Sequence, residues 1–107
     1  MLDSVWAVVT SFRPTGLGQT VQRIRLQTRG VVVVDDGSGP SYAPVFSDAA
    51  MLGTDVIGFA ANRGKGRALK HGFAHIARHY PGQDVVCADS DGQHTVRDIL
   101  RVGRAIR

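Results

Sequence analysis

Apolar residues in this chain gather into four short blocks, and between the blocks they recur every three or four positions. Residues 5–10, 30–35, 55–60 and 84–89 read as β-strands. The second is the strongest, because Val31, Val32, Val33 and Val34 form a continuous β-branched run that suits a strand buried on both faces. The stretches between them read as helices. Over residues 67–80, Leu69, Gly72, Phe73, Ile76, Ala77 and Tyr80 keep helical spacing, and Pro81-Gly82 stops the run. Residues 96–106 predict another helix: Thr95 is placed to N-cap it, Asp98 lies in its first turn, and Ile99, Val102 and Ile106 share a face. Residues 17–27 give a weaker helical pattern around Val21 and Ile24, and residues 40–52 hold one short helix starting near Ala43. There is no internal repeat and no low-complexity segment.

Strand and helix alternate throughout, which implies parallel pairing through right-handed crossovers. The expected fold class is therefore α/β, a Rossmann-like parallel sheet with flanking helices in strand order 3-2-1-4. In that order the ends of strands one, two and four surround one crevice. Open α/β sheets carry their ligand groups at the carboxyl ends of the strands, and here the second and fourth strands end in Asp35 and Asp89.

Length allows one domain over residues 1–107 and no second core. An apolar fraction of 43% with 13 glycines argues for a folded, loop-bearing chain rather than disorder. No apolar run approaches the roughly 20 residues that a membrane span needs. Met1-Leu2-Asp3 has none of the basic start of a secretion signal. Cys87, the single cysteine, excludes an internal disulfide and fits a reducing, cytoplasmic setting. The formal charge of +4 comes from dispersed Arg and Lys. Such dispersion reads as solvated surface compatible with anionic phosphate ligands, and no nucleic-acid partner is expected.

Three loops carry candidate chemistry. Asp35-Asp36-Gly37-Ser38-Gly39 offers two carboxylates to base N–H or ribose hydroxyl groups; taken alone it is a common turn signal. Asn62-Arg63-Gly64-Lys65-Gly66-Arg67-Ala68-Leu69 opens the clearest helix with exposed amides and cations, a setting that favours an anion. It is neither a Walker A loop nor a dinucleotide fingerprint, since Gly66 and Leu69 stand where those motifs need other residues. Asp89-Ser90-Asp91-Gly92-Gln93-His94 sets two aspartates one residue apart, a hard-oxygen arrangement suited to Mg²⁺ or Mn²⁺ shared with substrate phosphates. His71, His75 and His79 fall at i, i+4 and i+8 and imitate a metal stripe, but a solvated helix edge is the expected reading. Cys87, Trp6 and Phe73 are expected in the core.

These three loops, in this order and spacing, resemble family 2 glycosyltransferases, and within them the dolichyl- or polyprenyl-phosphate sugar transferases. The resemblance runs from Val5 to Ile106 and rests on Val31 to Asp36 with Gly37-Ser38, on Asn62, Gly64-Lys65-Gly66, Ala68-Leu69 and Gly72, and on Asp89 to His94. It implies the N-terminal, donor-binding half of a GT-A fold, truncated before the acceptor half. It also implies inverting transfer from a UDP- or GDP-linked sugar to a polyprenyl phosphate or glycan. By that resemblance Asp36 contacts the base and Asp35 lines the same pocket. Asp89 and Asp91 form the Asp-x-Asp motif that holds Mg²⁺ or Mn²⁺ and the diphosphate, Gln93 adds a metal contact, and Lys65 lies near the nucleotide. In the first loop, Thr10 and Phe12 stand where the family binds the nucleotide, although the usual Asn is absent from Thr10-Ser11-Phe12-Arg13-Pro14. The catalytic base is expected in the missing half, so the isolated chain would be weakly active or inactive, and a longer parent membrane-associated. The alternative is a non-catalytic nucleotide-binding or interaction module that self-associates through an open sheet edge.

Overall fold

The computed structural model describes residues 2–89 and 99–101, with side chains described over residues 5–88. Its elements are β1 (Leu2–Ser11), α1 (Leu17–Arg25), β2 (Thr28–Asp36), α2 (Ala43–Met51), β3 (Asp55–Phe59), α3 (Lys65–His79), β4 (Asp84–Asp89) and β5 (Ile99–Arg101). The sheet order is β3-β2-β1-β4-β5. The first four strands are parallel in the expected order 3-2-1-4, flanked by helices. No helix among the described residues is long and apolar enough to cross a membrane.

Strand alternation sorts the core into two layers. Ala7, Val9, Val31, Val33, Val86 and Ala88 meet Leu17, Val21 and Ile24 of α1 and Phe46 and Ala49 of α2. Val8, Val32, Val34 and Val85 face Ala68 and Ile76 of α3. This is why β2 reads as unbroken valine: each face has a helix layer to cover. Gly72 brings α3 against the sheet, since a Cβ there would lie 2.6 Å from Val8 Cγ1 and 3.2 Å from Val34 Cγ2. The first two crossovers are closed by threonines. Thr28 Oγ1 donates to the Ile24 carbonyl (2.9 Å) and Thr54 Oγ1 to the Ala49 carbonyl (2.8 Å), occupying carbonyls at the helix ends.

Three expectations are corrected. Residues 99–101, expected within a helix over 96–106, form β5 and pair antiparallel with β4 through Asp84↔Arg101, Val85↔Leu100 and Val86↔Ile99. The outer edge of β4 would otherwise present unpaired backbone groups, and that demand overrides local periodicity. Residues 96–98 and 102–106 lie outside the described residues. Cys87, expected in the core, is only half-buried on β4. The histidine stripe is not simply a solvated edge, because α3 lies over β3, whose first residue supplies a carboxylate. His75 Nε2 lies 2.9 Å from Asp55 Oδ2, the Tyr80 hydroxyl donates to the same oxygen at 2.8 Å, and the His79 ring is 4.5 Å from that of His75.

Desolvation pushes the Asp55 carboxyl up. The hydrogen bonds from His75 and Tyr80, with the charges of His75 and His79, outweigh it and leave the group below its ordinary 3.8. A lowered carboxyl contributes stability above its unfolded value, and that contribution is lost as pH falls through the folded value. The urea midpoint should therefore fall on acidification below about pH 4, and Asp55→Asn should flatten that limb of the curve. An unchanged limb in the variant would show that Asp55 carries none of it.

Candidate functional site

Register delivers the ends of β1, β2 and β4 to one edge of the sheet. Thr10 pairs with Val34 on one side and Asp89 on the other, and Ser11 pairs with Asp35. With strands about 4.8 Å apart, the backbones of Asp35 and Asp89 stand roughly 10 Å apart across β1. The crevice expected from the sequence thus has its acidic strand ends on one side of the molecule.

The two aspartates of β2 point to opposite faces. Asp36 is in phase with Val32 and Val34 and turns toward the α3 layer, where it is only 4% exposed. Its Oδ1 accepts the Arg63 N–H at 2.7 Å, and its Oδ2 accepts the Gly64 N–H at 3.1 Å and the Asn62 side-chain amide at 3.2 Å. Asn62 also donates to the Asp36 carbonyl at 3.0 Å. Asp36, expected to contact a base, is thus first of all the anchor of the loop leading into α3. Asp35, in phase with Val31 and Val33, turns the other way and stays half-exposed. Its Oδ1 accepts the Ser38 N–H at 2.9 Å, and Ser38 Oγ accepts the Arg13 N–H at 2.8 Å. Arg13 holds a left-handed φ of 49°, unusual for a residue with a side chain.

Gly37 completes the linkage. Its φ is 74°, and a Cβ on it would overlap the Asn62 nitrogen and the Ala61 carbonyl carbon. The loops after β1, β2 and β3 are therefore one hydrogen-bonded unit: Arg13 to Ser38, Ser38 to Asp35, and the neighbouring Asp36 to Asn62, Arg63 and Gly64. Preorganised backbone of this kind positions ligand groups without further ordering on binding.

Thr10 is buried beneath this unit, and Phe12 projects from it 46% exposed, with the Arg13 guanidinium 5.0 Å above its ring. Lys65, at the start of α3, is exposed. Asp89 ends β4 opposite Thr10. Asp91 and Gln93, the other expected metal ligands, lie outside the described residues, as does His94. Among the described residues no group of three or more His, Cys, Asp or Glu is placed to hold a metal ion. By donor chemistry alone, the carboxylates of the Asp89-Ser90-Asp91 sequence suit an oxygen-coordinated divalent ion.

Ser11 was not singled out by sequence. It is 3% exposed, and among the described residues its Oγ has no hydrogen-bond partner. The signal for it is a polar residue closing the apolar phase of Ala7 and Val9, at the carboxyl end of a central strand. A buried hydroxyl left unpaired at a ligand edge is a natural contact for a ligand.

The glycosyl transferase family 2 model matches residues 6–106. Over 106 residues the chain is 30% identical to an uncharacterized protein, MJ1222, of Methanocaldococcus jannaschii. That match covers 97% of this chain and 42% of the relative, so the chain spans less than half the relative's length. The succession of acidic motifs along the sequence, the 3-2-1-4 sheet and the family match agree: this chain belongs to glycosyl transferase family 2.

Proposed function

We propose that this chain is the donor-binding domain of a sugar transferase, taking a UDP- or GDP-linked sugar together with Mg²⁺ or Mn²⁺. The observation that supports it best is the shared carboxyl edge, where Ser11, Asp35 and the end of β4 meet in register. In this reading the nucleoside lies across the end of β1. Ser11 Oγ and the half-exposed Asp35 carboxylate take its N–H and hydroxyl groups, Phe12 stacks on the base, and the Asp36-anchored loop with Lys65 closes one side. Asp89, Asp91 and Gln93 would hold the ion, which would neutralise charge on the departing diphosphate. The acceptor would be a polyprenyl phosphate or a glycan, as in the dolichyl- and polyprenyl-phosphate branch.

Calorimetry with UDP and GDP, each without metal, with Mn²⁺ and with Mg²⁺, tests this reading. Binding should require the ion and disappear in Asp91→Ala; failure of both nucleotides with either ion would end it. Ser11→Ala gives a sharper test. Removing a buried hydroxyl without a partner should leave stability unchanged or raise it by about 1 kcal/mol, while nucleotide affinity drops about tenfold. Equal affinity in the variant would remove Ser11 from the site.

A second reading, a non-catalytic module that self-associates through a sheet edge, draws on β3. This terminal strand pairs with β2 on one side only, while at the opposite end of the sheet the short β5 pairs with Asp84 to Val86 of β4. Metal-independent dimerisation in sedimentation, without nucleotide binding, would favour it.

A further inference from the structure

The outer side of α3 carries a second concentration of charge. The helix contains Lys65, Arg67, Lys70 and Arg78 and no acidic residue. Arg67, Lys70 and His71 stand at i, i+3 and i+4 and therefore share one face. Beside them the end of β3 contributes Phe59, and the following loop contributes Arg63, whose guanidinium lies 4.9 Å above the Phe59 ring. The ring of His71 is 4.7 Å from that of Phe59. These five residues line a cleft of about 490 Å³.

The nearest acids on neighbouring strands are engaged elsewhere. Asp36 is buried with both carboxylate oxygens taken by Asn62, Arg63 and Gly64, and Asp55, at the far end of β3, is taken by His75 and Tyr80. No carboxylate among the described residues forms an ion pair with Arg63, Arg67 or Lys70. Two guanidinium forks and an ammonium around one cleft match the oxygens of a phosphate. The volume exceeds what inorganic phosphate fills and falls within the range of pockets for small organic ligands. The two rings offer an apolar and aromatic surface to the remainder of such a ligand.

We propose that this cleft is a metal-independent site for a phosphate ester, with Arg63, Arg67 and Lys70 on the phosphate and Phe59 and His71 against the organic group. It lies on the α3 side of the outer strand and shares none of Ser11, Phe12, Asp35 or Lys65 with the proposed donor crevice, although Arg63 belongs to the loop that closes one side of that crevice. The ester is either a water-soluble metabolite or a phospholipid headgroup, since both present the same chemistry.

The test is titration of the full chain with phenyl phosphate in EDTA, followed by amide NMR shifts, and in parallel flotation with phosphatidylcholine vesicles with and without phosphatidic acid. Binding of phenyl phosphate points to a soluble ester, and binding only to phosphatidic acid vesicles points to a headgroup. Arg67→Ala/Lys70→Ala should weaken whichever binding occurs at least about tenfold, and Arg23→Ala/Arg29→Ala, equal in lost charge, should change it less than about twofold. All four positions are exposed, so both variants should fold. Metal-dependent UDP or GDP binding should persist in Arg67→Ala/Lys70→Ala, which keeps this outcome separate from that of the donor reading. The proposal is overturned if neither probe binds, if both double variants lose binding equally, or if UDP with Mn²⁺ displaces phenyl phosphate competitively.

Discussion

Asp36→Ala is expected to lower folding stability by about 3 kcal/mol and to abolish the proposed nucleotide binding in the same stroke. Three donors converge on this carboxylate: the backbone N–H groups of Arg63 and Gly64 and the side-chain amide of Asn62. Each buried donor left without an acceptor costs about 1–3 kcal/mol; water reaching the exposed Arg63 and Asn62 reduces the total from the upper end of that sum. Asp36→Asn should be nearly as harmful, because its amide turns a donor toward other donors. Urea denaturation checks the magnitude, and hydrogen exchange locates it: the Arg63 and Gly64 amides should lose protection before those of β2. An unchanged urea midpoint in Asp36→Ala would show that this side chain does not hold the loop.

Gly72→Leu is expected to be still more damaging to folding, about 4 kcal/mol. Valines 8 and 34 are fully buried on central strands, and a mere Cβ at position 72 already meets Val8 Cγ1 at 2.6 Å. A leucine would have to lift α3 from the sheet or drive both valines off their rotamers, against a helix-propensity gain of only about 1 kcal/mol. Gly72→Ala should be milder, and coupling makes the cause visible. In Gly72→Ala/Val8→Ala the added methyl partly fills the space removed, so the double variant should be destabilised by less than the sum of the single changes. Strict additivity would place the origin of the Gly72→Ala effect elsewhere.

The parallel core was legible because its signals are local and mutually consistent. Val31 to Val34 announce a strand covered on both faces, and Asp35 and Asp89 mark strand ends that the register brings to one edge. What escaped the sequence depends on distant partners. The Ile99, Val102 and Ile106 spacing favours a helix, but residues 99–101 follow the unpaired edge of β4 instead. The link between His75 and Asp55 spans twenty positions, and no periodicity encodes it. Asp36 shows the same limit within the site. Its residue type and place were readable, whereas its engagement by the backbone of Arg63 and Gly64 follows from a loop conformation that Gly37 permits.

Trp6 gives the fold a built-in optical reporter. It is the single tryptophan of the chain, with its ring stacked on Tyr80 at 4.0 Å between centroids. Five positions along β1 separate it from Ser11, about 16 Å of extended backbone, so the fluorophore sits toward the end remote from the crevice. Its emission should register detachment of the last turn of α3 and, on the donor-binding proposal, stay silent when nucleotide arrives, allowing unfolding to be followed in saturated and empty samples on one scale.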